Sequence, residues 1–285
     1  MNIHKHALVF FSKVPEAGTT KTRLTVERDG VMSPQEAAEL YHTVLLDTAD
    51  VGMHALVELN EAGRGGNAAD RVDTYDFVVC SAPEKNIPQM KELFDAAGPW
   101  PLPIQYICDE GTNFNEHFDS AYKKLWQMGY ETAVAIGGDL PQMPVKNLVL
   151  AFQILRRFEK DYNGLGLVHC PCQACGVSLV GLTKATPMDF EGIFYNTNGV
   201  SALDGIINTA KLKGFPVAAL ETVADIDTVE DLAHALSMAR SQEYTSQFQP
   251  EVLFPKRFLA WAEREGYVVC TPPNENHDPR TLIDV

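Results

Sequence analysis

The chain of 285 residues is long enough for one large domain with appendages or two small ones, and its 45% hydrophobic and 21% charged residues suit a globular protein. A formal charge of −15 argues against nucleic acid or an anionic membrane as the main partner, because both repel a negative surface. No apolar run approaches the roughly 18 residues that a membrane span needs, and the opening MNIHKHALVFF lacks the apolar segment and cleavage site of a signal peptide. The six cysteines, Cys80, Cys108, Cys170, Cys172, Cys175 and Cys270, are read as reduced thiols of a cytoplasmic protein.

HALVFF is a short apolar run bounded by Ser12, Pro15 and Gly18, which predicts a buried strand. SPQEAAELYHTVLLDTADVG opens with Ser33, Pro34 and Glu36 in capping-box spacing and predicts a helix. The glycine-rich ELNEAGRGGNAADRVD is expected as a surface loop. YDFVVCSA predicts a second strand, EKNIPQMKELFDAAG a helix started near Pro88, and PIQYICD a third strand. NFNEHFDSAYKKLWQMG carries Phe114, Phe118, Ala121, Leu125 and Met128 at helical spacing. TAVAIGG is the most apolar strand and ends at Asp139, Leu140 and Pro141, with VKNLVLAFQILRRF following as a helix. GLGLVHC and GVSLVGL are strand-like, GVSALDGIINTAKLKG helical, FPVAALE a strand and TVEDLAHALSMARSQ a helix. This alternation predicts an α/β fold whose mostly parallel sheet has helices on both faces. From residue 244 the pattern turns irregular. Residues 1–243 are therefore expected as one unit, and 244–285 as a C-terminal extension with one helix, FPKRFLAWAEREG, and a polar tail.

In an open α/β sheet ligands lie beyond the carboxyl ends of the strands, and two unusual loops leave such ends. In SKVPEAGTTKTRL, Gly18 and small threonines let backbone N–H groups face a ligand, while Lys13, Lys21 and Arg23 bring positive charge to an acidic chain. A lysine point charge and an arginine fork can clamp a diphosphate from two sides; a solvated turn with ordinary surface cations is the other reading. The P-loop pair Gly-Lys-[Ser/Thr] is absent. In AIGGDLPQMP, Asp139 follows a buried strand and two glycines, so it can hold Mg²⁺ or Mn²⁺, or cap a helix ahead of Pro144. In ADIDTVEDL, Asp227 and Thr228 suit a helix cap, with a metal or ribose contact by Asp225 or Asp227 as the alternative.

Together these segments resemble a bacterial family of GT-A-like nucleotide-diphospho-sugar transferases, assigned mostly by fold. That family opens with a strand and the loop Pro-x-x-Gly-x-x-Lys-Thr-Arg-Leu, matched by Pro15, Gly18, Lys21, Thr22, Arg23 and Leu24. Its central strand ends in Gly-x-Asp-x-Pro, matched by Gly137, Asp139 and Pro141. Its last helix follows Asp-Val-Asp-Thr-x-x-Asp-Leu, matched by Asp225, Ile226, Asp227, Thr228, Asp231 and Leu232. The likeness spans residues 7–241 and extends to molybdenum-cofactor and phospholactate guanylyltransferases, which share the fold. It implies a single GT-A-like, Rossmann-like domain performing metal-assisted glycosyl transfer from a nucleotide sugar to an unknown acceptor. It further implies diphosphate binding by Gly18, Lys21, Thr22, Arg23 and Lys13, and a magnesium or manganese ion on Asp139 and Asp227, with Asp225 as a further candidate.

The departures from the family fall in the second half. An expected Asp-Gly-Gly-Tyr is replaced by Ala174, Cys175, Gly176 and Val177, which removes a carboxylate. A Gly-Asp-Leu-Gly-Glu-Arg segment keeps Glu116 but has Asn113 for its acid and His117 for its arginine, and Trp-Ser-Thr becomes Tyr195, Asn196 and Thr197. No catalytic base is assigned; Asp189, Glu191 and His169 lie near the altered region in sequence. Two other functions stay open: nucleotidyl transfer (guanylyl or cytidylyl) to a phosphate monoester, and nucleotide-sugar binding without catalysis. HCPCQAC gathers His169, Cys170, Cys172 and Cys175, but a single Cys-x-x-Cys knuckle favours ordinary buried thiols over zinc or an iron–sulfur cluster.

Overall fold

Alternation along the first strand divides the packing into two layers. The computed structural model describes residues 2–65 and 71–269. In β1 (Asn2–Phe11), Leu8 and Phe10 enter one buried cluster while Ala7 and Val9 enter the other, as a period of two requires. The sheet contains β2 (Arg71–Cys80), β3 (Ile104–Ile107), β4 (Thr132–Gly137), β5 (Leu167–Pro171), β6 (Val177–Thr183) and β7 (Val217–Ala219). Its order is β3-β2-β1-β4-β6-β5-β7. Pairings β1–β2, β1–β4, β2–β3 and β5–β7 are parallel, and β6 runs antiparallel to both its neighbours.

Helices cover both faces. The Leu8 and Phe10 side packs against α1 (Pro34–Gly65), α2 (Ile87–Ala97), α4 (Val145–Asp161), α6 (Val229–Thr245) and α7 (Lys256–Arg264). The opposite side takes α3 (Phe114–Gln127) and α5 (Ala202–Lys213), whose Phe118, Leu125, Ile206 and Ala210 are buried. The expected box opens α1: Ser33 N–H donates to Glu36 Oε2 at 2.7 Å, and Glu36 N–H to Ser33 Oγ at 3.2 Å. Among the described residues no helix is long and apolar enough to cross a membrane.

One expectation fails in the first half. The segment from Glu58 to Gly65, read as loop, continues α1, and β2 already begins at Arg71. The cause is tertiary. Asn60 Nδ2 donates to Tyr75 O at 2.9 Å while Tyr75 N–H donates to Asn60 Oδ1 at 3.0 Å, which ties the last turns of the helix to β2. Leu59 is buried between them. Such packing outweighs the local cost of glycine. Residues 66–70 of the expected loop, and Cys270 with the expected polar tail, lie outside the described residues.

Register sets where a ligand can lie. Phe11 pairs with both Cys80 and Gly137, and Cys80 with Ile107, so four parallel strands end along one edge. After β7 the chain runs on beside β5, with Leu220 N–H to His169 O at 2.8 Å and Val223 N–H to Pro171 O at 3.0 Å. That path delivers residues 225–227 to the same edge.

The helix of the expected C-terminal extension, α7, is tied to α1 by carboxylates, with Asp47 at its N-terminus, Asp50 on Arg257 and Glu39 on Arg264. Asp47 accepts from the backbone N–H groups of Arg257 (3.2 Å) and Phe258 (2.8 Å) and from Arg257 Nη1 (3.1 Å), while Phe258 and Trp261 are buried. This cap comes from another helix, because Pro255 at the N-cap position offers no side-chain acceptor. Asp47→Ala is expected to lower folding stability by about 1–3 kcal/mol through the orphaned donors, read as a lower urea midpoint with an unchanged m-value.

Candidate functional site

The loop after β1 is wound around one carbonyl. Glu16 O accepts from the N–H groups of Thr19 (3.1 Å) and Thr20 (3.2 Å) and from both their hydroxyls (3.0 and 3.1 Å). The turn passes through Gly18 at φ 79°, which a side chain would strain. Gly18 shapes the loop but does not itself border the cleft, whereas Lys13, Thr19, Lys21, Thr22 and Arg23 do. Lys21 has left-handed backbone (φ 51°) and precedes a turn of 3-10 helix, Thr22–Leu24, pinned by fully buried Leu24.

The loop after β4 is held against α1. A Cβ on Gly138 would stand 2.7 Å from Leu45 Cδ1 and 3.0 Å from the Tyr41 hydroxyl, so a larger residue there would have to displace the Leu45 side chain. This close approach fixes Asp139 beside the first loop. The same Tyr41 hydroxyl accepts from Lys13 N–H at 3.3 Å, and its ring centroid lies 6.0 Å from Lys21 Nζ.

Lys21 Nζ donates to Asp139 Oδ2 and, at 3.1 Å, to Asp227 Oδ1; Arg23 Nη1 donates to Asp227 Oδ2 at 2.9 Å. The Lys21 side chain is 6% exposed. Burial pulls its pKa down, but the charges and hydrogen bonds of Asp139 and Asp227 more than offset this and raise it above the ordinary lysine value. One carboxylate oxygen from each of Asp139, Asp225 and Asp227 lies within 4.8 Å of the others. Asp225 is pushed up to about 6 by burial and then by the negative charges of Asp139 and Asp227. Both capping readings give way here. Thr228 is the N-cap of α6, with Asp231 N–H on Thr228 Oγ1 (3.3 Å) and Thr228 N–H on Asp231 Oδ2 (2.8 Å), so the Asp227 carboxylate is left to face the cations. The N-cap of α4 is Pro144 without side-chain help, and Asp139 turns to Lys21.

These groups share one cleft of about 1820 Å³ at the carboxyl edge of the sheet. Its far walls hold residues that pattern reading passed over. The Gln173 amide clamps the backbone of Asp225, with Nε2 to Asp225 O at 2.7 Å and Asp225 N–H to Oε1 at 3.3 Å. The sequence signal was weak, since it needs the turn after β5 and the segment before α6 to meet. His117 Nδ1 lies 2.7 Å from Oδ2 of buried Asp109, and both line the cleft. Asp109 stands just past the end of β3, where strand-end logic could have found it. Phe114, Phe194 and exposed Tyr195 add an aromatic wall, the Phe114 and Tyr195 ring centroids 5.5 Å apart.

The substituted family positions have local work. Asn113 caps α3 by accepting from Glu116 N–H at 3.1 Å, and Glu116 Oε2 closes the preceding loop through Thr112 N–H (2.7 Å) and Oγ1 (2.8 Å). Ala174 lies on the cleft wall with left-handed backbone (φ 53°), a methyl group where the resemblance expects an acid. Cys170 is buried in the core, with Asn147 Nδ2 3.8 Å from its sulfur, and His169 is buried in β5. Cys172 borders the cleft and Cys175 is exposed, so a break in register after Cys170 separates thiols that extended geometry would put on one face.

The crowding of acids carries a stability cost. The Asp225 carboxyl is raised from its ordinary 3.8 to about 6 in the fold, so ionising it weakens the folded state as pH rises through that window. Asp225→Asn is therefore expected to stabilise the ligand-free protein at pH 7–8 by about 1–2 kcal/mol. The gain should vanish below about pH 4, where both folded and unfolded carboxyls are protonated; denaturant melts at the two pH values check this.

Residues 67–197, a little under half of the chain, match the sequence model of a family described as "Uncharacterized protein conserved in bacteria (DUF2064)". The match takes in Asp139 and the altered second half but not the Lys21 loop or Asp225 to Asp231. No curated protein matches the chain. Among solved structures, a candidate nucleotide-diphospho-sugar transferase from Desulfovibrio desulfuricans G20 superposes with a TM-score of 0.66 at 20% identity, over 92% of this chain and 95% of that one. A 4-diphosphocytidyl-2C-methyl-D-erythritol synthase from Anaerococcus prevotii gives 0.45 at 11% identity over 83% and 98% of the two chains. A cytidylyltransferase from Leptospira borgpetersenii gives 0.44 at 11% over 95% and 98%. The resemblance seen in the motifs therefore stands: over residues 67–197 this chain carries the pattern of an uncharacterised bacterial family, DUF2064, on a fold shared with nucleotide-diphospho-sugar transferases.

Proposed function

We propose that the protein is a transferase that binds a nucleotide sugar by its diphosphate, together with Mg²⁺ or Mn²⁺, and passes the sugar to an acceptor. The observation that carries this reading is the convergence of Lys21 and Arg23 with Asp139, Asp225 and Asp227 in one cleft. Three oxygen donors at this spacing suit a hard cation, which usually completes its shell with substrate phosphates and water. The chain as a whole is acidic, so local cations are what allow an anionic ligand to enter.

As the bond between sugar and diphosphate breaks, negative charge grows on the leaving phosphate. Asp139 and Asp227, with Asp225 anchored by Gln173, would hold the divalent ion, which when bound supplies Lewis-acid stabilisation of that charge. Lys21 and Arg23 would neutralise further phosphate oxygens as that charge grows. Thr22 and Lys13 border the same space and extend the polar lining, while Gly18 sets the turn that aims the loop. A cytoplasmic setting and a division into a nucleotide-binding unit (1–243) with an extension (244–285) belong to the same reading.

Ala174 favours a second reading, binding without turnover, since a methyl group on the wall cannot deprotonate an acceptor. Nucleotidyl transfer would use the same cations and carboxylates. Thermal unfolding with Mn²⁺ separates these. Protection by UDP- or GDP-sugars with sugar transfer supports the proposal, protection by GTP or CTP with diphosphate release supports nucleotidyl transfer, and protection without turnover supports the binder. Lys21→Ala and Asp139→Asn should each weaken nucleotide affinity about tenfold or more, in line with losing a charged contact; unchanged affinity in both would refute the site.

A further inference from the structure

We propose that Lys21 is a built-in counter-ion that keeps the place of the divalent cation until a diphosphate arrives, so that the site takes metal and diphosphate together and binds free metal poorly. The inference rests on the nucleotide reading above and adds the form in which the ligand is accepted.

The ammonium and a metal ion would draw on the same carboxylates. Lys21 Nζ is bonded to Asp139 Oδ2 and to Asp227 Oδ1, and the other Asp227 oxygen is taken by Arg23. Those two acids and Asp225 have oxygens within 4.8 Å of one another. An octahedral shell with bonds of about 2.1 Å spaces its ligands about 3–4 Å apart, so the cluster is close to the dimensions of a cation shell, and an ammonium already bridges two of its three acids. A divalent ion that binds both Asp139 and Asp227 while Nζ keeps its bonds to them stands beside the ammonium, and two cations so close repel. Among the described residues no basic side chain pairs with Asp225. The three acids thus keep a deficit of positive charge, but one Asp139 oxygen and both Asp227 oxygens are already engaged.

A displaced ammonium needs other acceptors, because Lys21 is 6% exposed and water reaches it poorly. A diphosphate supplies them. Lys13, Thr22 and Arg23 border the same stretch of cleft, so a diphosphate held there comes within reach of the flexible lysine stem. Moving Nζ onto phosphate oxygens frees Asp139 and Asp227 for the metal, and the metal's arrival on the acids favours that move. By linkage, each ligand then raises the affinity of the other by the same factor.

The test uses the full chain with Mn²⁺ followed by electron paramagnetic resonance, and inorganic diphosphate as a probe independent of base, with the Mn²⁺–diphosphate complex in solution accounted for. In the wild-type protein, saturating diphosphate should raise Mn²⁺ affinity at least tenfold, a measurement that needs no variant. Lys21→Met, once its melting shows it folded, should bind Mn²⁺ alone at least tenfold tighter than wild type, with the coupling to diphosphate reduced toward one. Wild-type binding of both ligands without coupling overturns the exchange and leaves the nucleotide reading intact, as does Mn²⁺ affinity in Lys21→Met equal to or below wild type. No diphosphate binding by wild type, with or without Mn²⁺, overturns both.

Discussion

The ammonium shared by Asp139 and Asp227 is the constraint around which the carboxyl edge of the sheet is arranged. Its two partners lie 118 and 206 residues away in sequence, so the contact exists only if β1, β4 and the path beside β5 end in register. Two unit charges about 4 Å apart attract by about 4 kcal/mol at the effective dielectric of a protein surface, yet withdrawing them from water costs a comparable amount. An ion cluster of this kind adds little net stability. A third acid, Asp225, sits close enough to be pushed toward neutrality. Acids gathered at a loss to the fold are more economically explained by a ligand than by folding.

Much of this was written in the pattern of residues. Period-two alternation at Ala7 to Phe10 placed the first strand, Ser33 and Glu36 placed the start of α1, and the loop following each of two apolar strands placed the cations and Asp139. What could not be read depended on side chains meeting across the fold. Glu58 to Gly65 looked like loop because their glycines are local, whereas the Asn60–Tyr75 pairing that keeps them helical is not. Asp227 looked like a cap because Asp and Thr are both good N-caps; the reciprocal bond from Asp231 decides for Thr228. The Gln173–Asp225 clamp and the Asp109–His117 pairing had no motif of their own, since each joins segments that meet only in the fold, although His117 itself stood at a family position.

The cleft has two unlike sides. On one, loops after β1 and β4 are locked by Gly138 against α1 and by the carbonyl of Glu16, which leaves little freedom around Lys21 and Asp139. On the other stand Ala174, Asn113 and His117, where the resemblance expects acids and an arginine, beside the aromatic wall of Phe114, Phe194 and Tyr195. Asn113 and Glu116 show how such positions are retained for a different purpose, closing the start of α3. The charged side and the aromatic side are thus supplied largely by different parts of the chain, with Gln173 joining them through Asp225.

The reversed strand β6 has a bearing on how that second side can change. Because β5 and β6 run in opposite directions, they are joined at the cleft end by a tight connection, Gln173–Cys175 with its flanking residues, and not by a long crossover. Hairpin tips accept insertions and exchanges without disturbing the strands beneath them. Exchanges confined to Ala174 and Cys175 would leave the clamp on the Asp225 backbone intact, whereas exchange of Gln173 would remove it, so a single residue of that tip couples the far wall to the carboxylate cluster.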